Sequence, residues 1–255
     1  MTSQPEPHST THTDFDRGAG RYDLMVALNP GYHRELRRAA EALAHRLATD
    51  TPRLLDLACG SGASTRALLR AASHATVLGL DASPGMLAEA RNKDWPASVS
   101  FEHAVAGHLD VDALGRASFD GIQCCYLFRN VPAEQRDQAV AEVFELLRPG
   151  GWLVVQEYSV AGNRLATRVW NAVCGAVIIP LGTVVDRNPG LYRYLRRSVV
   201  EFDSLPRFLE RLDAAGFRNV AHRSATGWQR GILHTVVAQM PPVCGVGGDA
   251  STHAG

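Results

Sequence analysis

Apolar and polar positions alternate along this chain in two rhythms, one of strand length and one of helical period. Short apolar runs closed by turn residues lie at residues 54–57 (LLDL), 77–81 (VLGLD), 99–104, 118–125 (SFDGIQCC) and 152–156, and they predict five buried strands. Helical stretches fall between them. Residues 63–72 follow the first strand. Ser83-Pro84 opens the next helix with an N-cap and a proline at the first position, and Met86, Leu87 and Ala90 face inward. Residues 133–147 place Val140, Val143, Phe144 and Leu147 on one stripe and stop at Pro149-Gly150-Gly151. Upstream, residues 14–49 read as helical, with Leu36, Ala39, Ala40, Leu43 and Leu47 on one face and Arg34, Arg37, Arg38 and Arg46 largely off it. Residues 205–215 form a further helix stopped by Gly216, and strands near 219–224 and 232–238, joined by a short link, predict an antiparallel pair. Five α/β units and a closing hairpin make an α/β, doubly wound fold: a seven-stranded, mostly parallel sheet with an antiparallel last strand and helices on both faces.

Residues 159–203 interrupt the alternation. The part from 165 to 185 is long and apolar but carries Gly175, Pro180 and Gly182, so it is expected to be too broken to span a membrane. Two expectations stand side by side for it: a helical lid over an apolar substrate, bending at Gly175 and Gly182, or an ordinary buried insertion. Residues 1–13 and 239–255 lack periodicity and are rich in small and polar residues, as disordered tails are. One domain is expected over residues 14–238.

Composition narrows the function. The 255 residues balance 26 basic against 26 acidic side chains, which disfavours general nucleic-acid binding. The five cysteines show no zinc-type or paired redox spacing, and free thiols in a reducing cytoplasm are expected. No metal site is expected. The first residues lack the apolar core of a secretory signal, so a cytoplasmic protein with at most peripheral membrane contact is expected.

The candidate chemistry gathers at residues 54–62. Gly60 and Gly62 permit a tight turn and close approach of a ligand to the backbone, at the N-terminus of a helix. Asp81 ends the second strand about 20 residues on, where nucleotide-binding α/β folds hold ribose hydroxyls. Gly60-Ser61-Gly62 is not followed by the third glycine of a dinucleotide fingerprint. Asp56, ahead of the glycines, can accept from an amino group that NAD lacks. S-adenosylmethionine has both an amino-acid end and a ribose. At this point the sequence resembles the class I S-adenosylmethionine-dependent methyltransferases, with their Rossmann-like fold. Ala82 and Met86 follow Asp81, and Met86 suits either an adenine pocket or the core.

Further stretches resemble the UbiE/MenG family of quinone C-methyltransferases. Residues 126–131 (YLFRNV), 191–199 (LYRYLRRSV), 22–25 (YDLM), His33-Arg34, 215–217 (AGF) and 231–234 are similar to segments of that family, over roughly residues 14–238. The resemblance implies cofactor contacts at Ser61, Asp81, Val105, Ala106 and Cys125. It also implies an acceptor site at Arg129 and Asn130, with Tyr194 nearby and Tyr126 in the same segment. Val105 replaces the family's Asn or Asp, so adenine must be held by backbone groups and packing; Leu36 replaces a tryptophan, and residues 108–116 (HLDVDALGR) replace an LPF motif.

The expected reaction is C-methylation of an aromatic or quinone-type small molecule. The alternatives are O-, N- or C-methylation of a secondary metabolite, or a non-methylating relative that uses the fold as scaffold. A guanidinium stays protonated, so Arg129 cannot be the direct base, but it can stabilise a developing phenolate. An imidazole is the side chain suited to proton transfer near neutral pH, so His33 is a candidate base or a structural hydrogen-bonding group. Tyr22, Tyr192, Tyr194 and Ile178 are candidates to line the acceptor site. A homodimer is compatible with the sequence.

Overall fold

In the computed structural model, which describes residues 31–185 and 189–243, the strand-length apolar runs form one seven-stranded sheet. Its strands are β1 (Arg53–Leu57), β2 (Thr76–Asp81), β3 (Val99–His103), β4 (Phe119–Cys125), β5 (Leu147–Tyr158), β6 (Arg218–Ser224) and β7 (Leu233–Gln239). Their order is β3-β2-β1-β4-β5-β7-β6. The first five pair in parallel, and β7 runs antiparallel between β5 and β6. The expected hairpin is present, with its second strand inserted inward.

Helices α1 (Tyr32–Ala44), α2 (Ala63–Ala71), α3 (Pro84–Arg91), the short α4 (Val111–Leu114), α5 (Arg136–Leu146), α6 (Arg164–Val173), α7 (Ile179–Val185), α8 (Pro189–Glu201) and α9 (Leu205–Ala214) cover both faces. Alternation along the strands splits the core. Leu55, Leu57, Ile122 and Val155 pack toward α5 and α9, with Val143 and Phe217. Leu54, Val77 and Val154 pack toward α1 and α6, with Leu36, Leu43 and Trp170.

Several boundaries move from the sequence pattern. The expected helix at residues 14–49 is described only from Tyr32, and it ends at Ala44 although the apolar period continues to Leu47. There Arg46 turns back, donating to the Ala42 carbonyl (2.6 Å) and lying over the Trp152 ring (5.2 Å). The helix expected at 133–147 starts as a 3₁₀ turn, Ala133–Gln135, and stops at Leu146. Leu147 already pairs with Phe119, and β5 runs on through the Pro-Gly-Gly turn, where Gly150 takes φ +83°. The end of β7 fastens this turn, through Gly150 N to Met240 O and Met240 N to Gly151 O.

The insertion departs most. Gly175 and Pro180 do not break it: a π-helical turn, Cys174–Ile178, joins α6 to α7. A π turn shifts the hydrogen-bond register, which accommodates Pro180 at the second position of α7. Gly182 is not a bend. A Cβ there would lie 2.3 Å from the Tyr192 ring, so its role is close approach of α8 to α7. By length and composition the continuous helix Arg164–Val184 meets the requirement for crossing a membrane, contrary to the expectation of a broken segment.

The insertion is bolted down at its far end. Asp203, between α8 and α9, accepts from Arg136 Nη1 (3.0 Å) and Arg211 Nε (2.6 Å), and Arg211 also pairs with Asp137. Asp203→Ala leaves two mostly buried guanidinium groups short of a partner and is expected to cost about 3 kcal/mol. Urea unfolding checks this; an unchanged midpoint would show the network to be ornamental.

Candidate active site

The carboxyl ends of β1, β2 and β4 converge, and backbone in left-handed conformation marks the tips. Ala58 (φ 67°) and Tyr126 (φ 60°) are non-glycine residues held there, beside Gly60 (54°) and Gly62 (90°). Such conformations persist only where the surroundings enforce them, and they cluster at working sites. Here the Ala58 and Cys59 amides both donate to Leu80 O (2.8 and 2.9 Å). Asp81 closes the turn from the other strand: its Oδ2 accepts from Gly60 N (2.7 Å) and its Oδ1 from Ser83 N (2.8 Å). Ser83 caps α3 as the sequence predicts, accepting from Met86 N. Gly60, Asp81, Ala82 and Met86 are thereby brought together, and a Cβ on Gly60 would sit 3.1 Å from Met86 Cε. Ser61 is buried, and its carbonyl accepts from Lys93 Nζ (2.8 Å). A Cβ on Gly62 would lie 2.6 Å from Trp95, so that position demands glycine for both its φ and its packing.

Asp56 lies under this turn, fully buried. Its Oδ2 accepts from Ser64 Oγ (2.7 Å) and Thr65 Oγ1 (2.6 Å) of α2, while Oδ1 makes no close hydrogen bond. Burial, assisted by repulsion from Asp81 and opposed by the Thr65 and Ser64 hydroxyls and the Gln123 amide, pushes its carboxyl up to about 6. A buried acceptor oxygen without a donor is costly unless something supplies one.

Val105 and Ala106 follow β3, whose continuation is tied to the second strand through Ala104 N to Asp81 O (3.1 Å). The loop is held by a residue the sequence pattern did not single out. Glu142, buried on α5, accepts from Gly107 N (2.7 Å) and Leu109 N (3.2 Å). An acid on the apolar face of a helix is the signal that marks it, because a buried carboxylate needs partners.

At the tip of β4 the structure gathers an aromatic and charged cluster. Tyr126 stacks on Tyr32 of α1 (5.4 Å) and on Tyr158 of β5 (5.2 Å), and Tyr158 meets Trp170 of α6 (5.2 Å). Cys125, just before Tyr126, is buried, and burial holds its thiol protonated. Arg129 lies over the Tyr126 and Tyr158 rings and forms an ion pair with Glu157 (Nη1 to Oε1, 2.6 Å), both side chains almost wholly buried. Glu157 also accepts from the amides of Arg129 and Tyr158. The sequence reasoning missed it, although an acid inside an apolar strand signals a buried partner. Asn130 donates to Tyr126 O (2.9 Å) and accepts from Tyr194 Oη of α8 (3.3 Å), so the insertion reaches the site.

The remaining candidates spread outward. Tyr192 packs on Gly182 within the insertion, and Ile178 is partly buried against the cluster that contains Tyr126 and Tyr158. His33 is exposed on α1, edge-on to Tyr32 (5.5 Å), one ring away from Tyr126. Tyr22 lies outside the described residues.

The profile of the ubiE/COQ5 methyltransferase family matches residues 5–237. A demethylmenaquinone methyltransferase of Deinococcus radiodurans is 36% identical over 205 residues, covering 78% of this chain and 81% of that protein. The ubiquinone/menaquinone biosynthesis C-methyltransferase UbiE of Methylobacterium nodulans is 33% identical over 215 residues, 84% of each chain. Among solved structures, phosphoethanolamine N-methyltransferase 2 of Haemonchus contortus, in complex with S-adenosyl-L-methionine, superposes with a TM-score of 0.63 at 17% identity, covering 90% of this chain and 60% of that one. At that identity the likeness concerns the fold.

Proposed function

We propose, from the premise that this chain belongs to the ubiE/COQ5 methyltransferase family, that it is an S-adenosylmethionine-dependent C-methyltransferase acting on a reduced quinone. The observation that carries this reading is one arrangement. The glycine turn with Asp56 and Asp81 lies on the same sheet edge as the Asn130–Tyr194 contact and the buried Arg129–Glu157 pair, whose guanidinium lies over the Tyr126 and Tyr158 rings. The two relatives that act on quinone precursors support the substrate class. A cytoplasmic location belongs to the same reading, and the buried free thiols Cys59, Cys124, Cys125 and Cys174 support it, since they stay reduced there.

The residues present fit the cofactor. Oδ1 of Asp56, which makes no close hydrogen bond, suits an ammonium group, and the Asp81 carboxylate, which accepts from Gly60 N and Ser83 N, suits ribose hydroxyls as well. Gly60 and Gly62 keep Cβ atoms out of the cradle. Val105 and Ala106, fixed by Glu142, would face adenine with backbone and small side chains. When bound, S-adenosylmethionine supplies a methyl group already activated on sulfonium.

The chain's own task is then orientation and charge. A hydroquinone hydroxyl that loses its proton makes the adjacent ring carbon nucleophilic. Arg129 is held rigid by Glu157 and by two tyrosine rings, and in this reading it steadies the developing phenolate charge. The net charge of the Arg129–Glu157 pair is zero, so its contribution is a preorganised donor more than a bare cation. Asn130 and Tyr194 offer a donor–acceptor pair to orient the second ring oxygen. Alignment of acceptor and donor can supply about 7–11 kcal/mol of the barrier.

The reading is tested by incubating the protein with methyl-labelled cofactor and a demethylmenaquinone analogue, with and without prior reduction. Label in the reduced acceptor alone is expected. Transfer to neither form, with the cofactor bound, contradicts the reading.

Asp56 gives a pH signature. Its folded carboxyl titrates near 6, above its ordinary value, so between about pH 4 and pH 6 the cofactor-free fold binds more protons than the unfolded chain. The Asp56 contribution to stability therefore grows as pH falls through that window. An ammonium neighbour favours the carboxylate, so cofactor affinity should fall as pH drops below about 6, by up to about tenfold per unit. Calorimetric titrations across this range check it. Asp56→Asn should bind more weakly and lose the dependence; an unchanged profile in the variant would assign the effect elsewhere.

A further inference from the structure

The insertion has two faces with different tasks. Inward, Trp170 packs on Tyr158 and donates to Arg196 O (3.2 Å), while Tyr194 reaches Asn130. Outward, among the described residues, four of the seven large apolar side chains that stand in solvent lie on the continuous helix Arg164–Val184: Leu165 (71% exposed), Val177 (53%), Leu181 (37%) and Val184 (78%). Exposed apolar side chains scattered singly are ordinary, whereas a concentration on one element marks a contact surface. On the other side, Ala166, Trp170 and Cys174 bury the first half of the helix against the protein.

Charge says what suits the outward face. Residues 164–185 contain no acidic side chain, and Arg164 and Arg168 are exposed at the N-terminal end of the run. The adjacent α8 adds Arg193, Arg196 and Arg197 against one acid, Glu201. These two helical segments thus carry five arginines and one glutamate, in a chain whose 26 basic and 26 acidic side chains balance overall. An apolar stripe with arginines at one end is the pattern of a helix lying in a membrane interface: apolar side chains enter the acyl boundary, and guanidinium groups meet anionic headgroups.

We infer that the outer face of α6–α7, with the arginines of α8, docks the protein on an anionic lipid bilayer, with the acceptor site opening beneath the docked helices. The docking stands apart from the acceptor's identity, and it can be measured without any acceptor.

The test is co-sedimentation of the full chain with vesicles of phosphatidylcholine alone, or of equal parts phosphatidylcholine and phosphatidylglycerol. Binding to the anionic vesicles is expected, with little to the neutral ones, and it should weaken strongly in about 1 M salt, where the screening length falls to about 3 Å. Arg164→Ala with Arg168→Ala should weaken it on the order of tenfold or more. Val177→Asp with Val184→Asp should abolish it while the melting profile stays that of the wild type, since both positions are exposed. Wild-type protein that ignores anionic vesicles overturns the inference, as does equal binding by both double variants. Concentration-dependent self-association that Val184→Asp reverses, without vesicle binding, would instead make this face an interface between copies of the chain.

Discussion

Asp81→Ala is expected to weaken S-adenosylmethionine binding about a hundredfold or more, with a smaller loss of stability. Two effects add. In the proposed reading the carboxylate at the tip of β2 accepts from ribose hydroxyls, and a hydrogen bond to a charged group is worth about 1.5–3 kcal/mol. It also holds the cradle together, because Gly60 N and Ser83 N both donate to it. Alanine strands these two amides as well as removing the ligand contact. An asparagine side chain keeps one acceptor oxygen, so Asp81→Asn should fall between wild type and Asp81→Ala. Calorimetry on the three proteins decides, with a melt of each as control. Equal affinity in wild type and Asp81→Ala would place the ribose elsewhere.

Arg129→Ala is expected to do two kinds of damage, and the structure shows how to part them. The guanidinium and Glu157 form a buried ion pair, so removing one member leaves the other charged and uncompensated at a cost of about 3–5 kcal/mol. Loss of a preorganised donor to developing negative charge should also lower turnover about 10²–10³-fold. Glu157→Ala should be as destabilising, and it frees Arg129 from its fixed position over the two tyrosine rings. The double replacement Arg129→Leu and Glu157→Leu discriminates. Apolar side chains in place of a buried pair are often neutral or better for stability, so the double variant should recover much of the lost stability and bind cofactor normally, yet stay slow. If turnover recovers together with stability, Arg129 is a structural residue and the acceptor is handled by other groups.

The parts of this fold legible in the sequence are those governed by local periodicity. Leu54, Leu55 and Leu57 before two glycines, Ser83-Pro84 at a helix start and the alternation to residue 156 each have a short-range cause, and the strands and helices lie there. Gly60, Gly62 and Asp81 were legible as one cradle because the spacing between them is a property of the βαβ unit. Partnerships across the sheet were not legible. Glu157 reads as a polar residue near a strand end, and only the fold brings it to Arg129. Glu142 sits within an apolar stripe, and its partners Gly107 and Leu109 lie a whole strand and helix earlier. The stack of Tyr32, Tyr126, Tyr158 and Trp170 draws one ring from each of four elements. In the insertion, glycine and proline suggested a broken chain, but packing of Tyr192 on Gly182 and a π turn ahead of Pro180 keep the helix continuous. Its apolar residues suggested either a lid over an apolar substrate or a buried insertion, and one side of the helix faces solvent.

The central claim, that this sheet edge directs a methyl group onto a ring carbon of a reduced quinone, is tested most directly by where the methyl ends up. Isotope-labelled methyl cofactor, a chemically reduced demethylmenaquinone analogue and the wild-type protein are incubated, and the product is examined by magnetic resonance. The account predicts a labelled signal in the aromatic-methyl region, with both hydroxyls still free. A labelled signal in the methoxy region, or label that stays on the cofactor when binding is saturated, would contradict it.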